Sequence, residues 1–311
     1  MWYIRNNFFL LTLISASIQC VVAQTESITN ESIEEAYLNK FIVDYNKGML
    51  SANPEDIVNY YSEDIRLMPA FQKTLLGKEN ALPYHKAFFD RFDVLEYNRE
   101  TIETLDLGGQ LCVLGIFTMK VKLKASEKVE ELKGKYIDIW KKESSKLFLI
   151  SEIWNYNHHT PLTDDLRFHN LPGVVIAFQP HLPLDTDIRY EIGALDQLLE
   201  TVIRQHDHIS WSMAYDQDGI FLYSYQPVYY GRKELDPFIE KHVKELPIFE
   251  KLDVRNDRID DFGTYVVEYA SHIANWRRDD ASGISTGKGI RIWKRQPNCS
   301  LKIFRQIATY D

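Results

Sequence analysis

Ile33, Tyr37, Phe41, Tyr45 and Leu50 recur at helical spacing and predict an amphipathic helix. Pro54 opens a second helical piece that carries Ile57, Tyr60 and Tyr61. The run Ile65-Arg66-Leu67-Met68-Pro69 predicts a short strand, ended by a proline that cannot donate to a ladder. After Gly77-Lys78-Glu79 the positions Ala81, Tyr84, His85, Phe88, Phe89 and Phe92 return to the helical period. Three strands are then expected at 111–124, 134–142 and 146–156, the last two joined by a turn at Glu143-Ser144-Ser145.

The second half repeats this order. A helix is expected over 192–211, a short strand at Ile220-Phe221-Leu222-Tyr223, a helix from Gly231-Arg232-Lys233 to Val243, and strands at 264–276, 287–294 and 301–310. Two matches fix the register. Residues 134–141 share Gly, Lys, Ile, Ile, Trp and Lys at identical spacing with residues 287–294. Downstream, Leu147, Ile153 and Tyr156 match Leu301, Ile307 and Tyr310. Upstream, Gly77 matches Gly231. So long a period signals duplication of a whole domain rather than a solenoid. The expected division is an export segment at 1–23, a first domain at 35–157, a linker at 158–189 and a second domain at 190–311. Pro161, Pro172, Pro180 and Pro183 mark the linker, and its apolar run at 173–178 is expected to dock on a domain.

With 45% apolar and 26% charged residues, the chain has the balance of a globular protein, and 18 Tyr, 16 Phe and 6 Trp can fill two cores. A net charge of −9 without a basic stripe argues against a nucleic-acid partner. Arg5, the apolar run at 8–14 and Val21-Val22-Ala23 read as an export signal cleaved after Ala23. That implies a secreted or periplasmic location with no membrane span after cleavage. An uncleaved anchor and a lipoprotein acylated at Cys20 are the alternatives. Asn30-Glu31-Ser32 fits a glycosylation sequon. Cys112 and Cys299 lie in different repeats and are expected as unpaired, mostly buried thiols. His206 and His208, placed in a helix, would not face each other. With no metal-type spacing, phosphate loop or nucleophile elbow, no metal and no cofactor is expected.

Tyr61-Ser62-Glu63-Asp64-Ile65-Arg66-Leu67-Met68-Pro69, then Gly77-Lys78, then 134–140 and Glu152-Ile153-Trp154-Asn155 together resemble the SnoaL-like branch of the nuclear-transport-factor-2-like superfamily. The resemblance spans nearly all of 35–157. It is looser over 190–311, where Ser224 falls in the place of Pro69 and Ala308 in that of Trp154. It implies an α+β class: two cone-shaped domains, each a curved antiparallel sheet wrapped around N-terminal helices, with a pocket between. The fold hosts isomerases, dehydratases, cyclases, epoxide hydrolases and non-enzymatic binding modules, so it does not give the function.

In the first domain Tyr60, Met68, Tyr84, Phe88 and Trp154 are candidate pocket walls and His85 a candidate pocket base, although aromatics at this spacing are ordinarily core. Strand alternation puts Tyr136, Asp138 and Trp140 on one face of their strand, and in the last strand Phe148, Ile150, Glu152 and Trp154 share a face. A carboxylate among aromatics is held partly protonated, which suits a general acid or base, so Asp138 and Glu152 are the catalytic candidates. Tyr60 or Tyr84 would donate to the developing oxyanion. Salt-bridged or solvent-facing carboxylates are the alternative. The second domain has Arg291 and Gln306 at the matching positions, so at most one copy runs carboxylate chemistry. The favoured reading is a small-molecule-binding or accessory protein. The alternative is a lyase or isomerase with a carboxylate base in the first domain. The two copies are also expected to pair through their sheets within the chain or to form a homodimer.

Overall fold

The computed structural model describes residues 32–144 and 146–311. The export segment at 1–23, Cys20, the sequon residue Asn30 and the turn residue Ser145 lie outside the described residues. The first half runs α1 (Ile33–Ser51), α2 (Glu55–Val58), β1 (Tyr61–Met68), β2 (Leu75–Leu76), α3 (Lys78–Arg91), β3 (Phe92–Asp106), β4 (Gln110–Leu123), β5 (Lys128–Glu143) and β6 (Lys146–Tyr156). After a single helical turn at Ile176–Phe178, the second half runs α4 (Asp187–Arg204), α5 (His208–Met213), β7 (Tyr215–Leu222), β8 (Val228–Tyr230) and α6 (Gly231–Glu245). It ends with β9 (Ile248–Asp261), β10 (Tyr265–Arg278), β11 (Ala281–Arg295) and β12 (Leu301–Tyr310).

The two halves share one topology. The first sheet has the order β2-β1-β6-β5-β4-β3 and the second β8-β7-β12-β11-β10-β9. In each, only the β1–β6 or β7–β12 pair is parallel. The chain is therefore α+β with two six-stranded cone domains, as the resemblance implied. The shared glycines have physical causes. Gly77 and Gly231 have φ of 87° and 64°, a left-handed backbone that glycine adopts without penalty at the turn into α3 and α6. At Gly134 and Gly287 a Cβ would meet the rings of Phe117 and His272 at 2.3 and 2.4 Å.

Two long strands escaped the pattern. β3 and β9 are edge strands rich in charge, as edges that must resist further pairing ordinarily are, and their apolar alternation is diluted accordingly. The expected helix at 192–211 is two helices, α4 and α5; His206 lies in the break between them with φ 56°. A β-bulge between Ile139 and Trp140 pairs Trp140 with Leu149, so Ile150 turns to the face opposite Glu152 rather than sharing it. Cys112 is buried as expected, but Cys299 is exposed in a turn; both are free thiols.

Each cone has an inner face on its own helices and an outer face on the other sheet. The inner core of the first domain gathers Phe41, Tyr61, Phe88, Tyr136 and Trp140, and that of the second Trp211, Phe221, Phe238 and Trp293. A third cluster joins the outer faces, with Met68, Leu114, Ile137, Ile139 and Ile153 against Leu222, Val267, Ile290, Ile292 and Ile307. Full burial of each aliphatic side chain there contributes about 1.5–3 kcal/mol.

Several polar contacts across this interface recur between the two halves, and others do not. Phe71 N–H donates to Tyr310 O at 3.1 Å, and Tyr225 N–H to Tyr156 O at 2.7 Å. Lys135 Nζ reaches Gln226 O at 2.8 Å, while its repeat counterpart Lys288 donates to Gln72 O. Arg66 pairs with Asp257 and Arg305 with Glu103, each across the interface. Between the two sheets Leu162, Leu166 and Phe168 join the first core and Val174 bridges to Thr74; of the apolar run at 173–178, Ile176 and Ala177 are buried and Phe178 is exposed.

Candidate functional site

The sequence pointed to the first cone, but its interior is filled. Arg99 from β3 enters the core with its side chain 2% exposed, lying 3.6 Å from the ring centre of Tyr136 and 4.5 Å from that of Tyr45. It donates to Asp138 Oδ2 at 2.5 Å and to Glu152 Oε1 at 2.7 Å. Tyr61 donates to Glu152 Oε2 at 2.6 Å, and its hydroxyl lies 3.0 Å from His85 Nε2. Asp138 and Glu152 are register partners on β5 and β6, so alternation did bring them to one face. They converge on a buried arginine, not on open space. Burial pushes the Asp138 carboxyl up to about 8, against the lowering pull of Arg99.

Tyr84, His85, Phe88 and Trp154 do line the same interior, with Tyr97, Met119 and Tyr136. These side chains leave about 30 Å³, on the scale of one water. Met68 and Tyr60 do not belong there. Met68 is buried in the inter-domain cluster, because its position on β1 faces the other sheet. The Tyr60 hydroxyl donates to Asp44 at 2.5 Å, and its ring packs edge-on against Tyr37 and Phe41.

Burial holds the His85 imidazole down to about 4. An unfolded histidine titrates near 6.5, so on acidification below that value the unfolded chain takes up its proton first. The stability His85 contributes is complete above pH 6.5 and is lost as pH falls toward 4, up to about 3 kcal/mol. Urea unfolding at pH 7 and pH 4.5 should show the wild type losing about 2 kcal/mol more than His85→Gln, whose amide does not titrate.

The open cavity is in the second cone. It measures about 600 Å³ and is walled by Ile203, Trp211, Phe221, Tyr223, Phe249, Leu252, Val254 and Trp276. Its lining also includes Glu245 to Pro247 at the end of α6 and Trp276, Arg278 and Ala281 of the β10–β11 hairpin, of which Glu245, Arg278 and Ala281 are exposed. Strand pairing shows why this cone is hollow. Arg291 and Gln306 pair on β11 and β12 as Asp138 and Glu152 do on β5 and β6. In that register Gly289 stands where the first domain has Tyr136, Ala274 where it has Met119, and Ala308 where it has Trp154. Three large side chains that fill the first cone are absent from the second. The sequence carried this signal at Gly289 and Ala308, but reading their neighbours Arg291 and Gln306 for lost carboxylates passed over the lost volume.

The cavity floor has a polar cluster of its own. Arg291 Nη1 donates to Asp196 Oδ1 at 2.7 Å and to Glu268 Oε1 at 2.9 Å. Trp293 Nε1 donates to Glu268 Oε2 at 2.6 Å, and Asn256 to Asp196 Oδ2 at 2.7 Å. Gln306 Oε1 accepts from Tyr215 at 2.7 Å, the counterpart of the Tyr61–Glu152 bond. Burial pushes the Glu268 carboxyl up to about 8 and holds His242 and His272 in the walls down to about 4, so both imidazoles are neutral near pH 7. No group of three or more His, Cys, Asp and Glu side chains among the described residues is arranged to hold a metal ion.

No family model and no curated protein matches this sequence. Solved structures do. A ketosteroid isomerase-like protein from Erwinia carotovora atroseptica is 15% identical, covering 41% of this chain and 97% of its own, with a TM-score of 0.37. A conserved protein from Planctomyces limnophilus is 13% identical over 40% of this chain and 97% of its own, with a TM-score of 0.36. A hexachlorocyclohexane dehydrochlorinase (LinA, type 2) is 13% identical over 42% of this chain and 88% of its own, with a TM-score of 0.37. Each match is about one domain long.

Proposed function

We propose that the protein binds a small, largely apolar molecule in the second cone, and that the first cone is its structural partner. The carrying observation is the difference between two interiors of one fold: about 600 Å³ walled by aromatics in one, about 30 Å³ around a closed ion-pair cluster in the other. A cavity of that size with apolar walls and a few polar groups has the character of a small-molecule site. A carboxylate base needs a substrate within hydrogen-bond reach. Around Asp138 and Glu152 there is no room for one, so the lyase or isomerase alternative finds no support in the first cone. The apolar run at 8–14 followed by Val21-Val22-Ala23 supports an exported location for this binding function.

Thermal-shift screening with apolar metabolites tests the reading. A compound at a hundred times its Kd adds about 2.7 kcal/mol. Such a hit should disappear when the second cone is filled by mutation, and a library that never stabilises the wild type counts against the proposal.

The paired contacts between the outer sheet faces support a second element of the proposal: the chain carries its own dimer partner. Multi-angle light scattering should report a monomer, and a stable homodimer would show that the internal pairing leaves a sheet face unsatisfied.

A further inference from the structure

Two side chains lining the cavity, Arg291 and Gln306, have donors without a partner among the described residues. Arg291 makes all its hydrogen bonds through Nη1, and its Nε is buried without a partner. The guanidinium edge formed by Nε and Nη2 is the one that grips a carboxylate with two parallel bonds. Gln306, directly opposite on β12, gives its Oε1 to Tyr215, which turns the amide N–H groups out as donors. Opposed residues on neighbouring strands hold their Cβ atoms about 5 Å apart, so both can reach one planar group. The same pair in the first domain is Asp138 and Glu152, two acceptors. The floor has thus been inverted from acceptor to donor. Neither nearby carboxylate bonds to Arg291 Nε or to the Gln306 amide N–H groups. Asp196 and Glu268 already take bonds from Nη1, Asn256 and Trp293.

We propose that the second cone selects apolar carboxylic acids, with the carboxylate seated against the Arg291 guanidinium beside the Gln306 amide and the hydrocarbon against Trp211, Phe221 and Tyr223. This rests on reading the cavity as the ligand site.

Calorimetric titration of the full chain at pH 7 with 4-phenylbutanoic acid and its alcohol, 4-phenylbutan-1-ol, tests it. The acid should bind about ten-fold more tightly or better, the worth of charge-assisted hydrogen bonds. Gln306→Glu keeps an acceptor for Tyr215, as Glu152 does for Tyr61, and places a carboxylate where the ligand's should sit. It should cost the acid at least about ten-fold more affinity than the alcohol. Gln306→Leu removes the donor without adding charge and should narrow the acid's advantage about three-fold or more, which keeps the test independent of how the glutamate variant folds. Equal affinity of acid and alcohol in the wild type, or an acid preference unmoved by both variants, overturns the head-group assignment and leaves the cavity reading standing. Failure of both compounds to bind the wild type overturns the cavity reading and this inference with it.

Discussion

Arg99→Met should cost about 3–5 kcal/mol, the largest stability loss expected from one exposed-strand position in the chain. Arg99 sits on β3, a charged edge strand, yet its guanidinium is 2% exposed and is the cation between Asp138 and Glu152. Removing it leaves two carboxyls, 1% and 0% exposed, facing each other with only Tyr61 donating to them. The native state must then protonate or admit water. Replacing the whole cluster behaves differently. In Arg99→Met/Asp138→Leu/Glu152→Met no charge remains to be desolvated, and stability should return to within about 1 kcal/mol of wild type or exceed it. Equilibrium urea unfolding of both variants checks this. A mild loss for Arg99→Met would show that the cluster is more hydrated than its geometry implies.

Filling the second cone should abolish binding without unfolding it. Ala274→Met/Ala308→Trp installs the side chains that the first domain carries at those register positions. Both alanines line the cavity, so the added atoms enter empty space rather than packed core, and stability should hold or rise. Compounds that stabilise the wild type should lose about a hundred-fold or more in affinity, because the variant occupies the volume they need. The opposite change makes the contrast. Trp154→Ala in the first cone removes a half-buried side chain packed against Tyr84 and should cost about 2–3 kcal/mol through the space it leaves. Thermal unfolding with and without ligand, on both variants, separates the roles of the two cones.

Much of the fold was legible because duplication doubles the evidence. Gly134 and Gly287, Trp140 and Trp293, and the isoleucines between them recur because each glycine lies under an aromatic or imidazole ring and each tryptophan is buried in the inner core of its domain. The interface isoleucines alternate cleanly, since one face of each sheet meets the other sheet. β3 and β9 stayed hidden because an edge strand shows solvent a charged side, and Arg99 stayed hidden with β3. The bulge at Trp140 could not be read from alternation, which assumes an unbroken period of two. The site was half legible. Asp138 and Glu152 were brought to one face as expected, and Arg291 and Gln306 were correctly placed as their counterparts. What alternation cannot supply is volume. Whether a polar pair closes on an arginine or opens on a cavity depends on side chains from four strands and two helices at once.

The most direct test is a crystal structure of the chain with a compound that raises its unfolding temperature. Density for that compound is expected in the second cone, against Trp211, Phe221 and Tyr223 with its polar end toward Arg291 and Gln306, and an unaltered Arg99 cluster in the first. Density beside Asp138 and Glu152, with the second cone empty, would contradict it.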